Sequence, residues 1–192
     1  MTRGLNLTGW LVCVVYASIP SFWLLVHPRA AYWRSRRGSP YRILLPLWMG
    51  MWIALGFASF HWRHLTVYIT PWTWAPAIVL LISGLRIYLH SGRHFSIVQL
   101  TGLPELLPQY AEQKLATTGI RSRVRHPIYL AHLCEMLAWS LGTGLVVCYG
   151  LTLFALMTGA VMIRLEDWEL EQRFGEQYRE YRRRVPAILP WI

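Results

Sequence analysis

The segment RHPIYLAHLCEMLAWSLGTGLVVCYGLTLFALMTGAVMIRLEDWEL, residues 125–170, opens on two basic side chains, runs through about forty mostly apolar residues and closes on an acidic cluster. At 1.5 Å per residue roughly twenty residues cross the hydrocarbon of a bilayer, so the segment is long enough for two crossings. Gly142-Thr143-Gly144 marks the turn between them. Folded back on itself, the hairpin returns Arg125-His126 and Glu166-Asp167 to one membrane boundary. Pro127 suits the first position of a helix, where its missing N–H costs nothing. Free backbone N–H groups, the positive helix end, Arg125 and His126 then converge on an anion site, with Tyr129 one turn inside on nearly the same face. A turn at residues 142–144 places Glu166 about six residues, or roughly 9 Å, beyond the level of His126, whereas a turn nearer Val146 brings the two level.

The rest of the chain repeats this pattern of apolar runs bounded by charge. Of 192 residues 55% are hydrophobic, more than one soluble core of this size needs. Spans are expected at roughly residues 5–26, 43–60, 72–89, 127–145 and 146–164, with breaks at Pro28, Gly38-Ser39-Pro40 and Pro71. Trp10, Trp33, Trp72 and Trp191 sit at the ends of apolar runs, the headgroup level that amphipathic rings favour. The expected fold is an all-α integral membrane bundle of about five transmembrane helices with a cytoplasmic amphipathic C-terminal helix. Residues 1–192 form one domain, with three N-terminal spans in 1–89 and the last two spans in 90–192. The first run lacks a basic leader beyond Arg3 and a small-residue cleavage site, and so is expected to be a retained signal anchor.

Of nineteen Lys and Arg, all but Arg3 and Arg63 fall on one side of a five-span arrangement, which puts the N-terminus outside and the C-terminus in the cytoplasm. The same placement accounts for the formal charge of +10, because the arginines flank spans rather than covering one face of a soluble fold; nucleic acid is not an expected partner. Cys13, Cys134 and Cys148 all lie inside apolar runs without ligand spacing, so neither a disulfide framework nor a metal site is expected. His61 and His64 flank Arg63, and His90 and His94 flank Arg93; no third ligand accompanies either pair, and both read as interfacial. Residues 90–125 are too polar to span and too many for an idle connection, which points to function on the cytoplasmic surface. Beyond Arg164, Leu170, Phe174, Tyr178 and Tyr181 recur every three or four residues, predicting an amphipathic helix that extends the fifth span.

Thr117-Thr118-Gly119, Val124-Arg125-His126-Pro127-Ile128-Tyr129, Glu166-Asp167-Trp168-Glu169-Leu170, and Phe174-Gly175-Glu176-Gln177-Tyr178-Arg179-Glu180-Tyr181 with Arg184-Val185-Pro186 follow one another in order. Together they resemble the isoprenylcysteine carboxyl methyltransferase and phospholipid methyltransferase superfamily, over roughly residues 113–191. The resemblance implies S-adenosyl-L-methionine bound near the cytoplasmic ends of the last two spans and a lipophilic acceptor entering from the membrane. It implies cofactor contacts from Gln113, Lys114, Leu115, Ala116, Arg121, Arg125, His126, Pro127, Ile128, Tyr129 and Glu166. The family often has Tyr where Arg121 stands, Gly where Ala131 stands and, four residues before the first acid, an acceptor-associated Arg where Met162 stands. Arg164 is the nearby cation, though it points to another side of the helix.

Deeper in the fourth span, His132 and Glu135 are spaced i, i+3 and can share a face. Ionisable groups at that depth face a bundle interior or a polar cavity, so the pair reads either as a structural bridge to another helix or as the lining of an acceptor pocket. The candidate catalytic residues are therefore Glu135, His132 and Arg164. The activity implied is methyl transfer to an isoprenylcysteine-type carboxylate, a thiol or an amine. Alternatives are an NADPH-dependent membrane reductase of the sterol-reductase type, or a non-enzymatic lipid-binding membrane protein.

Overall fold

In hydrocarbon every backbone N–H and C=O must find a partner within the protein, so apolar runs of this length become helices. The computed structural model of the chain describes residues 2–92, 106–107 and 114–189. Seven α-helices lie wholly within them: α1 (Thr2–Val26), α2 (Ala30–Ser35), α3 (Tyr41–Phe60), α4 (Trp74–Gly92), α5 (Pro127–Thr143), α6 (Val146–Phe174) and α7 (Glu176–Arg184). The chain is an all-α, multi-pass membrane protein.

Among the described residues four helical stretches are long and apolar enough to cross a membrane: residues 3–35, 41–60, 71–91 and 146–174. The expected fourth span is α5, only 17 residues long. At about 25 Å it is shorter than the roughly 30 Å of hydrocarbon. Its surroundings account for this. α5 packs along α4 and also against α1 and α6, and it carries none of the exposed large apolar side chains that stud α3 and α6. An interior helix is sheathed by its neighbours and need not match the lipid itself.

Neutral hydrogen bonds staple the N-terminal helices. Ser18 of α1 accepts from the indole N–H groups of both Trp48 (2.8 Å) and Trp52 (2.7 Å) on α3. Near the other end of the same helix pair, Trp10 donates to Ser59 at 2.9 Å. Across the hairpin, the Ser140 and Thr152 hydroxyls meet at 3.1 Å between α5 and α6. The turn itself is held by Val67 N–H to Gly144 C=O (2.8 Å) and Val146 N–H to Leu65 C=O (3.0 Å). Gly144 has φ +65°, and a Cβ there would stand 2.5 Å from the Tyr68 carbonyl oxygen, so both conformation and space demand glycine.

The C-terminal helix differs from the expectation of one continuous extension. α6 runs unbroken for 29 residues to Phe174. Gly175 then takes φ +57°, a conformation that ends the helix. α7 follows as a separate element, and Tyr178, Tyr181 and Val185 pack with Leu115, Leu170 and Phe174.

Candidate active site

A cavity of about 630 Å³ opens where α1, α3, α5 and α6 meet. One wall is ionic and comes from the start of α5 and the latter part of α6; the other is apolar and aromatic, built by Ile19, Phe22 and Trp23 of α1 and Tyr41, Leu45 and Trp48 of α3.

The ionic wall is organised around Asp167, which is buried on α6. Its Oδ2 accepts from Arg125 Nη2 at 2.8 Å, its Oδ1 lies 3.1 Å from His126 Nε2, and the Tyr178 hydroxyl donates to Oδ1. Glu166, the preceding residue on the same turn, places Oε2 at 3.1 Å from His126 Nδ1. His126 is thus clasped between two carboxylates. Burial alone would lower its pKa, but the charge of Glu166 and the contacts with Asp167 outweigh that and push it up to about 9. An imidazolium results, with both ring nitrogens as donors. Burial also lowers the Arg121 guanidinium from its ordinary value, against the pull of Glu166. The Tyr178 phenol is raised by burial and by its carboxylate neighbour, and Tyr181 is raised to about 12, chiefly by burial.

The level difference between His126 and Glu166 is about half of that expected from a turn at residues 142–144. The turn centres on Gly144 and Leu145 rather than on residues 142–144, which puts the level of His126 near residue 163, only about one helical turn before Glu166. The expected anion site at the start of α5 also needs correction. The N–H groups of Arg125 and His126 are engaged by the carbonyls of Pro186 and Ala187, each at 2.9 Å. The Arg125 side chain donates to the carbonyls of Arg182 (3.2 Å) and Val185 as well as to Asp167. It clamps the segment after α7 rather than standing open to an anion.

Of the residues singled out in sequence, Lys114, Leu115, Ala116, Arg121, Arg125, His126, Ile128, Tyr129, His132 and Glu166 all line the cavity. Pro127 is buried at the start of α5 without lining it. Gln113 lies outside the described residues. Arg164 is exposed on α6 and away from the cavity. Glu135 is not part of the lining either: it lies on α5 against α4, so close to Gly84 that a Cβ there would meet its Oε1 at 3.0 Å. His132 faces the cavity alone. Its ring sits among Tyr16, Tyr88 and Tyr129, with centroids 4.9, 5.7 and 6.2 Å away, and its buried Nδ1 has no hydrogen-bond partner.

Sequence reasoning passed over Asp167, whose only signal was its place beside Glu166. It also passed over His27. That side chain is buried at the α1–α2 junction, stacks on Trp23 (5.1 Å, 22° between planes) and brings Nε2 to 3.9 Å from Glu166 Oε2. Its signal was a histidine beside the break at Pro28. Glu169 is a further buried acid, tying α6 to α2 through Arg34 at 3.2 Å.

No family model matches the chain. Among curated proteins it is 36% identical over 83 residues to protein-S-isoprenylcysteine O-methyltransferase of Xenopus laevis, covering 41% of this chain and 27% of that protein. It is 39% identical over 71 residues to methanethiol S-methyltransferase 1 of Bradyrhizobium diazoefficiens, covering 35% of this chain and 23% of the relative. These matches support the isoprenylcysteine methyltransferase family for this chain. The chain also aligns at 33% identity over 94 residues with the delta(14)-sterol reductase of Mus musculus, covering 46% of this chain and 22% of the reductase. In each comparison the match spans well under half the relative's length.

Proposed function

We propose that the chain transfers the methyl group of S-adenosyl-L-methionine to a small or lipid-like acceptor that reaches the cavity from the membrane. The observation that carries this reading is the single cavity with an ionic wall and an aromatic, apolar wall, at the end of the bundle where charge begins. Such a site accommodates a zwitterionic, water-soluble cofactor beside a greasy acceptor, and its volume lies within the range of small-molecule sites.

The residues present fit the cofactor. Arg121 offers a guanidinium donor to an amino-acid carboxylate, and the His126 imidazolium, its two N–H groups held by Asp167 and Glu166, adds positive charge beside it. Glu166 lines the cavity, and besides the contact of its Oε2 with His126 its carboxylate has lone pairs left for an ammonium or ribose hydroxyl. Lys114, Leu115, Ala116, Arg125, Ile128 and Tyr129 complete the cofactor side, Pro127 starts the helix behind it, and Gln113 is next to Lys114 in sequence. When bound, the cofactor supplies a sulfonium methyl that already carries the driving force. The protein's part is therefore to align donor and acceptor and to exclude water. On the acceptor side, His132 Nδ1 can take the proton of a thiol or amine, while a carboxylate acceptor requires no such transfer. Glu135, against α4, supports the helix that carries His132. Arg164 is left without a place in this scheme.

The N-terminus lies outside and the C-terminus in the cytoplasm, where the cofactor is available, in keeping with the placement of Lys and Arg. The expected membrane is the inner, cytoplasmic one. A lipid extract incubated with purified protein and methyl-labelled S-adenosyl-L-methionine should yield a labelled product by mass spectrometry. Failure of the wild type to bind the cofactor in calorimetry would overturn the proposal. The sterol-reductase relative favours one second reading, a reductase using NADPH in the same cavity, and NADPH binding in place of S-adenosyl-L-methionine would select it.

A further inference from the structure

Arg3 and Arg63 are the two cations that break the one-sided charge pattern, and the fold brings them together. At the end of the bundle away from the ionic wall, they line a cleft of about 410 Å³ with Asn6, Leu7, Trp10 and His64. The cleft is firm. Arg63 is pinned by donation from Nη1 to the Phe60 carbonyl (3.0 Å), with its guanidinium 3.3 Å over the Phe60 ring. Trp10 is fixed by its hydrogen bond to Ser59.

Two guanidinium groups lining one cleft favour an anion between them, and among the described residues no carboxylate lies there. No Asp or Glu occurs before Glu105; those after it are Glu112, Glu135, Glu166, Asp167, Glu169, Glu171, Glu176 and Glu180. Glu135 is engaged against Gly84 in the bundle, and the six from Glu166 onward belong to the opposite end. Around the cleft the surface is apolar and turned outward: Leu7, Leu11, Trp62 and Leu65 are each about half exposed. The missing anion therefore belongs to a molecule that also has tails.

We propose that this cleft binds the phosphate of a phospholipid headgroup, with Arg3 and Arg63 as its charged donors and the acyl chains lying along Leu7 and Leu11. Guanidinium forks match phosphate oxygens, and the apolar surface beside the cleft suits acyl chains. The site does not depend on the catalytic reading.

The test uses the full chain purified in dodecyl maltoside, with phosphatidylglycerol, diacylglycerol of the same tails and inorganic phosphate as probes. Binding is read by native mass spectrometry and by the shift in melting temperature. The wild type should retain one phosphatidylglycerol and melt higher with it, while diacylglycerol and inorganic phosphate have little effect. Arg3→Gln/Arg63→Gln should weaken the lipid roughly tenfold or more, the loss expected for charge-assisted pairs. Arg183→Gln/Arg184→Gln, on side chains 69% and 75% exposed at the opposite end, should bind as the wild type does. If the first double variant folds poorly without lipid, Arg3→Gln alone, on an exposed side chain, serves in its place. Unchanged binding by the Arg3 variants, or an equal loss in the Arg183/Arg184 pair, would overturn the site; inorganic phosphate matching the lipid would overturn the lipid assignment.

Discussion

The two halves of the molecule are fastened by different physics. From α1 to α4 there is no carboxylate at all, and the helices are joined by neutral bonds such as Ser18 to Trp48 and Trp52. From α5 onward the joints at the boundary are ionic, with the neutral Ser140–Thr152 bond deeper in the hairpin: Asp167 alone gathers Arg125, His126 and Tyr178, with Arg182 Nε at 3.6 Å. Neutral bonds inside a membrane contribute little, often well under 1 kcal/mol, and tolerate loss. Buried ion pairs are fragile in a different way: removing one member strands the other's charge. The half that supplies the apolar wall can therefore vary in detail, whereas the half that supplies the ionic wall is bound to a fixed set of residue types.

Asp167→Asn gives the largest effect that this contrast predicts. It leaves Arg125 and His126 buried beside a neutral amide, at a cost of about 3–5 kcal/mol. The apparent melting temperature should fall by roughly 10 °C. A loss no larger than that of Ser18→Ala would break the contrast. Next comes Glu166→Ala, which should weaken S-adenosyl-L-methionine by roughly ten- to a hundredfold in calorimetry, the loss of one charge-assisted bond. Glu171→Ala, on a residue outside the cavity, should leave the cofactor nearly unaffected. Equal effects would sink the assignment of Glu166.

The ionic half should also be the pH-sensitive one. His126 has its pKa raised from 6.5 to about 9, so its charged form stabilises the fold fully below pH 6.5, and that contribution is lost as pH rises through about 9. A melting series from pH 6.5 to 10 should decline for the wild type and lie flatter for His126→Gln; parallel curves would show that another group sets the slope. Smallest is Ser18→Ala. It leaves two indole N–H groups to find new acceptors and should cost about 1 kcal/mol, visible as a fall of a few degrees without change in cofactor affinity.

What could be read from sequence follows the same divide. The spans were legible because length and hydropathy are local quantities, and ten of the singled-out site residues lie together in the cavity because a hairpin with a glycine turn must return its two ends to one place. The misreadings concern partners far away in the chain. The N–H groups of Arg125 and His126 looked free because residues 186 and 187, which engage them, lie some sixty positions on. Asp167 and Glu166 are adjacent acids, and no local periodicity tells which is buried at the hub and which faces the cavity. His27 and Trp23 come from a different helix altogether. The break at Gly175 was within reach, since glycine after a helical run is a recognised stop signal.

The strand of backbone at residues 186–187 also imposes an order of events. The ionic wall is complete only when carbonyls from that strand meet the start of α5, and during synthesis they are made after every helix of the bundle. A nascent chain can therefore place α1 to α6 in the bilayer while Arg125 still lacks its latch. In the order of synthesis, the contacts that complete the ionic wall therefore come last.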